Sequence, residues 1–413
     1  MQKNKNQSKP DEKATLVAAS SLQPAPYNPR IIDEDNYERL KNSVRRFGLV
    51  DPILVNGRTG LVVSGHQRLR AAIDIGIERV PIRHLDLSED QERALNIALN
   101  NPALMGEYDD AKLAELLAGL PDDLQSLTGF DEKDISRLLD AAGAGADTGD
   151  DPDALPQEVE ARSKAGEVYE LGPHRLACGD CRNEALVGRL FGDELAGMIW
   201  TDPPYGIDLA SVDADCNAAG YGRRSDGKAV LNDNLTPDAT EDLIRQAFKT
   251  ARCAPGASVY AAAGTSNMLA NAICAFDRSG FTFKWHLVWV KDTAPFSRAD
   301  YHFQHENILY GWKDDGSHYF TDDRMQTSVF SVPRPKASPE HPTMKPVELI
   351  ESMIRNSSIR DQIVYDPFGG SGSTLIAADR LDRRAFLVEL SPHYCDVIRA
   401  RYERHASAAK ATT

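Results

Sequence analysis

Short apolar runs and amphipathic stretches alternate through the first part of the chain. Apolar residues gather from Leu16 to Leu22, a helical pattern runs through Tyr37–Phe47, strand-like runs follow at Pro52–Val55 and Leu61–Val63, and a second helical stretch covers Arg68–Ile75. This predicts a small α/β domain over residues 14–88. From Glu89 to Ala142, "QERALNIALNN", "DDAKLAELLAGL" and "DEKDISRLLDAA" carry leucines at three- and four-residue spacing, with Asp109, Asp110 and Asp131 as N-terminal helix signals. These predict a helical connector over 89–142. Residues 143–157, "GAGADTGDDPDALPQ", are almost free of bulky apolar side chains and read as a solvated linker and domain boundary. Beyond it, strand-like runs recur at Arg175–Cys178, Gly197–Trp200, Ser258–Ala262, Phe283–Val290, Asn307–Tyr310, Ile363–Tyr365 and Ala385–Val388, several followed by helical patterns, which predicts an α/β sheet over 158–405. Three polar stretches interrupt it, 208–228, 292–301 and 314–342, and long loops at such places carry function. Residues 1–13 and 406–413 are expected to be flexible ends.

Composition sharpens this in two respects. No apolar run reaches the roughly 18 residues of a membrane span, and Met1–Lys13 has no apolar segment of a signal peptide, so a cytoplasmic protein without a membrane partner is expected. The six cysteines are too few and dispersed for a disulfide scaffold and are expected to be reduced. A net charge of −15 argues at first against nucleic acid, but the acidity is concentrated in residues 101–157. A DNA-binding cleft elsewhere stays compatible with it.

Two segments carry chemistry. In "MIWTDPPYG", Met198–Gly206, an apolar strand delivers Asp202, Pro203, Pro204 and Tyr205 into a turn that the prolines remove from strand pairing. A carboxylate, a peptide carbonyl and an aromatic face then lie close together. That set suits an amino group on a flat ring: Asp202 and the Pro203 carbonyl accept from its two N–H bonds, and Tyr205 stacks on a base rotated out of the duplex. A proline-rich turn with an Asp cap is the plainer alternative. In "IVYDPFGGSGSTLIAADR", residues 363–380, a strand leads through Gly369, Gly370 and Gly372 into a helix, letting backbone approach a cofactor. Glu389 ends the next strand about twenty residues on, where an acid holds ribose hydroxyls. The dinucleotide fingerprint fails here, because its third glycine falls on Leu375. A purely structural turn is the alternative.

These motifs, with "HRLACGDC" and "HPTMKP", stand in the order found in amino-group DNA methyltransferases of the permuted arrangement, and residues 160–405 resemble that family. The resemblance implies a Rossmann-like α/β sheet, S-adenosylmethionine as cofactor, double-stranded DNA as substrate and no metal. It places Asp180 at the cofactor's adenine side, Phe368, Gly369, Gly370 and Gly372 at its methionine side, Glu389 at its ribose and Lys345 near the methionine carboxylate, and counts Asp366 among the cofactor-binding residues. It also favours adenine N6 as target for a tetrad beginning with Asp, cytosine N4 being the alternative, and is compatible with a homodimer.

The N-terminal segments "NPR", "LKNSVRRFGLVDPILV" and "SGHQRLRAA" resemble the ParB/sulfiredoxin-like α+β fold. Arg30, Gly65, His66 and Arg68 would surround one helix N-terminus, a candidate anion site whose ligand the sequence does not name. The nucleophilic cysteine of sulfiredoxins is Gly65 here, and the Glu-Asn-x-x-Arg segment of partition proteins is absent. A DNA-binding regulator with an inactive methylase half is therefore the alternative from another functional class. Cys178-Gly-Asp-Cys181 with His174 could be half a zinc site or a redox pair, but no second such pair exists. Arg298, Arg324, Arg334, Lys336 and the loop Tyr221–Lys228 are DNA-contact candidates.

Overall fold

The computed structural model describes the chain except residues 1–13, 102–103, 105–107, 126, 144–150, 157–158, 206–234, 265–266, 293–299, 315, 324, 336–343 and 413. It divides into two compact units, Met1–Ala142 and Gly143–Thr413. Among the described residues, no helix is long and apolar enough to cross a membrane.

The first unit holds a five-stranded sheet of β1 (Thr15–Ala18), β2 (Gln23–Pro24), β3 (Ile53–Asn56), β4 (Leu61–Ser64) and β5 (Arg79–Leu85), ordered β1-β5-β3-β4-β2. Ile53, Val55, Val62, Leu69, Val80 and Ile82 form its core. The helix Glu34–Phe47 starts where Asp33 accepts from Asn36 N at 2.8 Å and ends at Gly48, whose φ of 73° favours glycine. Strand β5 escapes the pattern reading because Pro81 interrupts a run in which only Val80 and Ile82 alternate inward, yet it pairs with both β1 and β3. The helix Glu89–Leu99, expected to open the connector, turns buried Glu92 and Asn96 onto this sheet. Asn56 Nδ2 donates to Glu92 at 2.6 Å, and Asn96 Nδ2 donates to the Val63 carbonyl at 2.9 Å. Its polar residues face inward, so leucine spacing misreads which face is covered.

The second unit is a nine-stranded sheet. Its strands are β6 (Val168–Leu171), β7 (His174–Cys178), β8 (Ala196–Thr201), β9 (Cys253–Ala263), β10 (Phe281–Val290), β11 (His305–Lys313), β12 (Val329–Ser331), β13 (Ile363–Asp366) and β14 (Arg384–Glu389), in the order β12-β10-β11-β9-β8-β13-β14-β7-β6. The run β9-β8-β13-β14-β7 is parallel throughout. Met198, Trp200, Val364 and Leu387 lie in one buried cluster, and Ile199, Tyr365, Phe386 and Val388 in a second, as expected for strands buried on both faces. Chain order reverses between β8, which leads to β9, and β13, which leads to β14. The crevice at the carboxyl ends of β8 and β13 is thus the switch point at which such sheets bind ligands.

Two expectations are corrected here. The last helix runs Pro392–Thr412, through the residues read as a flexible tail, because "HASAAKAT" is rich in helix-favouring alanine. The described part of the segment read as a solvated linker is pinned to this unit: Asp153 Oδ1 accepts from Val347 N at 2.9 Å, the Pro152 carbonyl from Arg401 at 2.7 Å and the Ala154 carbonyl from Arg404 at 2.6 Å. Composition shows the lack of apolar side chains but not backbone carbonyls claimed by distant arginines.

Candidate active site

Strand β8 ends in buried Thr201 and releases Asp202, Pro203, Pro204 and Tyr205 at the switch point. Pro203 is buried, which fixes the turn, while Asp202 and Tyr205 are partly exposed. Both carboxylate oxygens of Asp202 are engaged. The Tyr205 hydroxyl donates to Oδ1 at 2.7 Å, and Lys345 Nζ donates to Oδ2 at 2.6 Å while lying 5.5 Å from the Tyr205 ring centre. Lys345, expected near the cofactor's methionine end, is therefore placed on Asp202. Its buried ammonium also meets Glu306 Oε2 at 3.1 Å, and Lys291 meets Glu306 Oε1 at 2.6 Å. Burial alone would discharge Lys345, but the Asp202 and Glu306 carboxylates outweigh it and hold the ammonium above its ordinary range.

The neighbouring strand β13 brings Asp366 against β8. Its carboxylate accepts from Thr201 Oγ1 at 2.9 Å, Phe368 N at 3.0 Å and Thr374 Oγ1 at 2.5 Å, so it ties the Asp-Pro-Pro-Tyr strand to the glycine turn. Burial pushes its acid up to about 7. The turn itself needs glycine. Gly370 and Gly372 have φ of 52° and 85°, and a Cβ on Gly372 would sit 3.0 Å from Ile398. Gly369 N donates to the Val388 carbonyl at 2.8 Å, which stitches the turn to β14.

Glu389 at the end of β14 accepts from Gly370 N at 2.7 Å and Ser391 N at 2.8 Å. Burial pushes its carboxyl up to about 7 despite those bonds. Asp180, in the turn after β7, is partly exposed and bonded to Arg182, which lowers its acidity range. The carboxyl ends of the adjacent strands β8, β13, β14 and β7 thus carry Asp202, the glycine turn, Glu389 and Asp180 along one edge. Phe368 is partly buried beside the turn.

Arg401 carries no motif, and sequence reading missed it. Buried on the last helix, it donates to the Ser371 carbonyl at 3.0 Å, Ser373 Oγ at 3.2 Å and the Pro152 carbonyl, with Asp153 4.0 Å away. Burial lowers its guanidinium to about 10. It clamps the glycine turn from below. Arg401→Met leaves those carbonyls without donors, and the expected result is a loss of about 3 kcal/mol from the second unit. Urea unfolding followed by tryptophan fluorescence reads this directly, because Trp200, Trp285, Trp289 and Trp312 all belong to that unit.

Other candidates resolve differently. His174 is buried, with Nδ1 accepting from Ala385 N at 3.0 Å and Nε2 facing Asp379 at 2.8 Å; His405 meets the other Asp379 oxygen at 3.1 Å. These rings brace the last helix. Cys178 and Cys181 are free and buried, and no metal-binding cluster exists among the described residues. In the first unit, Gly65 has φ of 96° and opens the helix His66–Asp74, as a tight entry requires. His66 Nε2 accepts from Ala25 N at 3.1 Å, Arg68 is paired with Asp51, and exposed Arg30 donates to Asn100 at 3.3 Å. The candidate anion-site side chains are thus engaged with protein partners. Arg334 is 3.9 Å from Asp292. Arg298, Arg324, Lys336, the loop 221–228, Gly206 and residues 341–343 of "HPTMKP" lie outside the described residues.

A parallel sheet whose switch point joins an Asp-Pro-Pro-Tyr turn to a glycine turn and an acidic strand end defines an α/β group-transfer enzyme. Residues 196–400 match the DNA methylase family N6_N4_Mtase, and residues 3–101 match the ParB N-terminal domain, ParB_N. The chain is a DNA methyltransferase of the N6_N4 family that carries an N-terminal ParB domain. It is similar to the Type II methyltransferase M2.DpnII of Streptococcus pneumoniae, 25% identical over 226 residues, covering 51% of this chain and 83% of that protein. It is also similar to the "Probable plasmid-partitioning protein ParB" of Thermus thermophilus, 44% identical over 68 residues, covering 16% of this chain and 23% of that protein. Among solved structures it is similar to the M1.HpyAVI–SAM complex, 20% identical with a TM-score of 0.41, covering 55% of this chain and 97% of that one. The ParB_N match includes the helix Glu89–Leu99, in keeping with Glu92 and Asn96 buried on the small sheet.

Proposed function

We propose that the protein transfers a methyl group from S-adenosylmethionine to the exocyclic N6 of adenine in double-stranded DNA. The observation that carries this reading is Asp202 at the end of β8, held by Tyr205 and Lys345, beside the glycine turn and Glu389 of the next two strands. Support for the cofactor comes from the turn: Gly370 and Gly372 take the positive φ that folds it tightly at the strand end, and the Glu389 carboxylate keeps lone pairs beyond the two it gives to backbone. Phe368, Gly369 and Gly370 would line the methionine side, Glu389 would take the ribose hydroxyls and Asp180 would face the adenine. When bound, S-adenosylmethionine supplies an electrophilic methyl group. Asp202 supplies an ionised acceptor with spare lone pairs, and Pro203 a carbonyl, for the two N–H bonds of the target amine. Tyr205 offers a ring face for the flipped base. An Asp rather than Ser at the head of the tetrad favours adenine.

The raised Glu389 acid makes a further expectation. Ribose hydroxyls donate more strongly to the ionised form, so binding favours it and releases a proton where Glu389 is partly protonated. Cofactor affinity should rise as pH increases toward about 7 and level off above it. Calorimetry at pH 6.5 in buffers of differing ionisation heat checks this, and affinity independent of pH from 5.5 to 8 would contradict it. The function itself is tested by incubating purified protein with methyl-labelled cofactor and unmethylated duplex DNA. Label in the DNA is expected, and a protein that binds cofactor yet leaves DNA unlabelled would overturn the proposal.

A further inference from the structure

Asp202 belongs to a longer array than the Asp-Pro-Pro-Tyr turn. Lys291 directly follows β10, Glu306 lies near the start of β11, Lys345 precedes the helix Val347–Ser357, and Asp202 follows β8. Four segments place their charges in alternating sign: Lys291 to Glu306 at 2.6 Å, Glu306 to Lys345 at 3.1 Å and Lys345 to Asp202 at 2.6 Å. Side-chain exposure is 10% for Lys291, 25% for Glu306, 5% for Lys345 and 29% for Asp202, so water screens the inner pairs weakly.

We propose that Glu306 and Lys345 are positioning residues for methyl transfer: together they aim Asp202 and set how much negative charge it presents to the target amine. This rests on the methyltransferase reading above. An amine that gains a methyl becomes cationic before it loses its proton, so the acceptor beside it must stay anionic as the bond forms. Lys345 alone would fix Asp202 but cancel much of its field. Glu306 Oε2, 3.1 Å from the same ammonium, divides its charge between two carboxylates, while Lys291 stops Glu306 from drawing Lys345 away. The result is an Asp202 that is both oriented and ionised. The titratable groups facing it are Lys345, the Tyr205 hydroxyl and, across β13, Asp366, with Glu306 and Lys291 behind Lys345.

The array predicts pH shifts of opposite sign, which a merely structural role would not produce. Removing the cation takes away the charge that favours the carboxylate form of both its partners. Removing Glu306 alone favours ionised Asp202 but leaves Lys345 unshared beside the developing aminium. The test uses the full chain with Lys345→Met, Glu306→Gln and the double variant, reading single-turnover methyl transfer from pH 5 to 9 and cofactor affinity by titration. Wild-type protein that transfers no methyl would sink the methyltransferase reading itself before any variant is compared. Given wild-type turnover, Lys345→Met should move the acid limb up by about one pH unit or more, and adding Glu306→Gln should move it back down. Glu306→Gln alone should slow transfer by about 10- to 100-fold with no upward shift of the limb, and cofactor affinity should stay within about twofold in all three. If Lys345→Met weakens cofactor binding about tenfold with the acid limb unmoved, Lys345 serves the cofactor and the proposal fails. Unaltered transfer in Glu306→Gln would overturn it equally, and that variant suffices should Lys345→Met not fold.

Discussion

Asp202→Ala is expected to lower methyl transfer by about three orders of magnitude or more while leaving cofactor affinity within about twofold of wild type. Removing a single neutral hydrogen-bonding group from a reaction centre costs about 10²- to 10³-fold, and here an ionised acceptor facing a developing cation is lost. The substitution should not unfold the protein. Lys345 keeps Glu306 at 3.1 Å, so its ammonium is not left buried without a counter-charge, and Asp202 is itself partly exposed. Glu389 and Gly370, proposed above to hold the cofactor, bond to each other rather than to Asp202, which is why binding and chemistry should separate. Single-turnover rates with labelled cofactor, beside a cofactor titration, check both halves. A variant that transfers methyl within about tenfold of wild type would show that Asp202 is not the acceptor.

Glu389→Ala and Glu389→Gln are expected to weaken cofactor binding to a similar extent, by about 100-fold or more. The near-isosteric Gln fails because both carboxylate oxygens accept from backbone N–H groups, Gly370 N at 2.7 Å and Ser391 N at 2.8 Å. A Gln side chain has one acceptor and one donor, so its NH₂ would confront one of those donors. Either change leaves partly buried backbone N–H without its acceptor and removes the acceptor for the ribose. Equilibrium titration with the cofactor or its demethylated product measures the loss. Near-wild-type affinity in Glu389→Gln would place the ribose elsewhere.

Much of this site is legible in the sequence because its parts are local. The turn after β8, the glycine turn and the acidic end of β14 each announce themselves by residues that special backbone or a strand end requires, and the strands before them are apolar runs. The partners of those residues are not local. Lys345 reads as a residue near the cofactor, and nothing in its spacing announces that β11 brings Glu306 beside it and β8 brings Asp202. Glu306 and Arg401 have no periodic or turn signature at all, since contacts such as Glu306 with Lys345 and Arg401 with the Pro152 carbonyl join distant positions and leave no trace in spacing. The small unit shows the same division. Its two helical stretches are legible as patterns, whereas β5 is hidden by Pro81, and the inward face of Glu89–Leu99 is polar where leucine spacing suggests the opposite.

Nucleoside analysis of DNA from a methylation-deficient host expressing this chain, beside the Asp202→Ala variant, tests the central claim most directly. The account predicts N6-methyladenine with the wild-type chain and none with the variant. N4-methylcytosine would contradict the choice of base, and unmodified DNA from cells holding folded, cofactor-binding protein would contradict the activity.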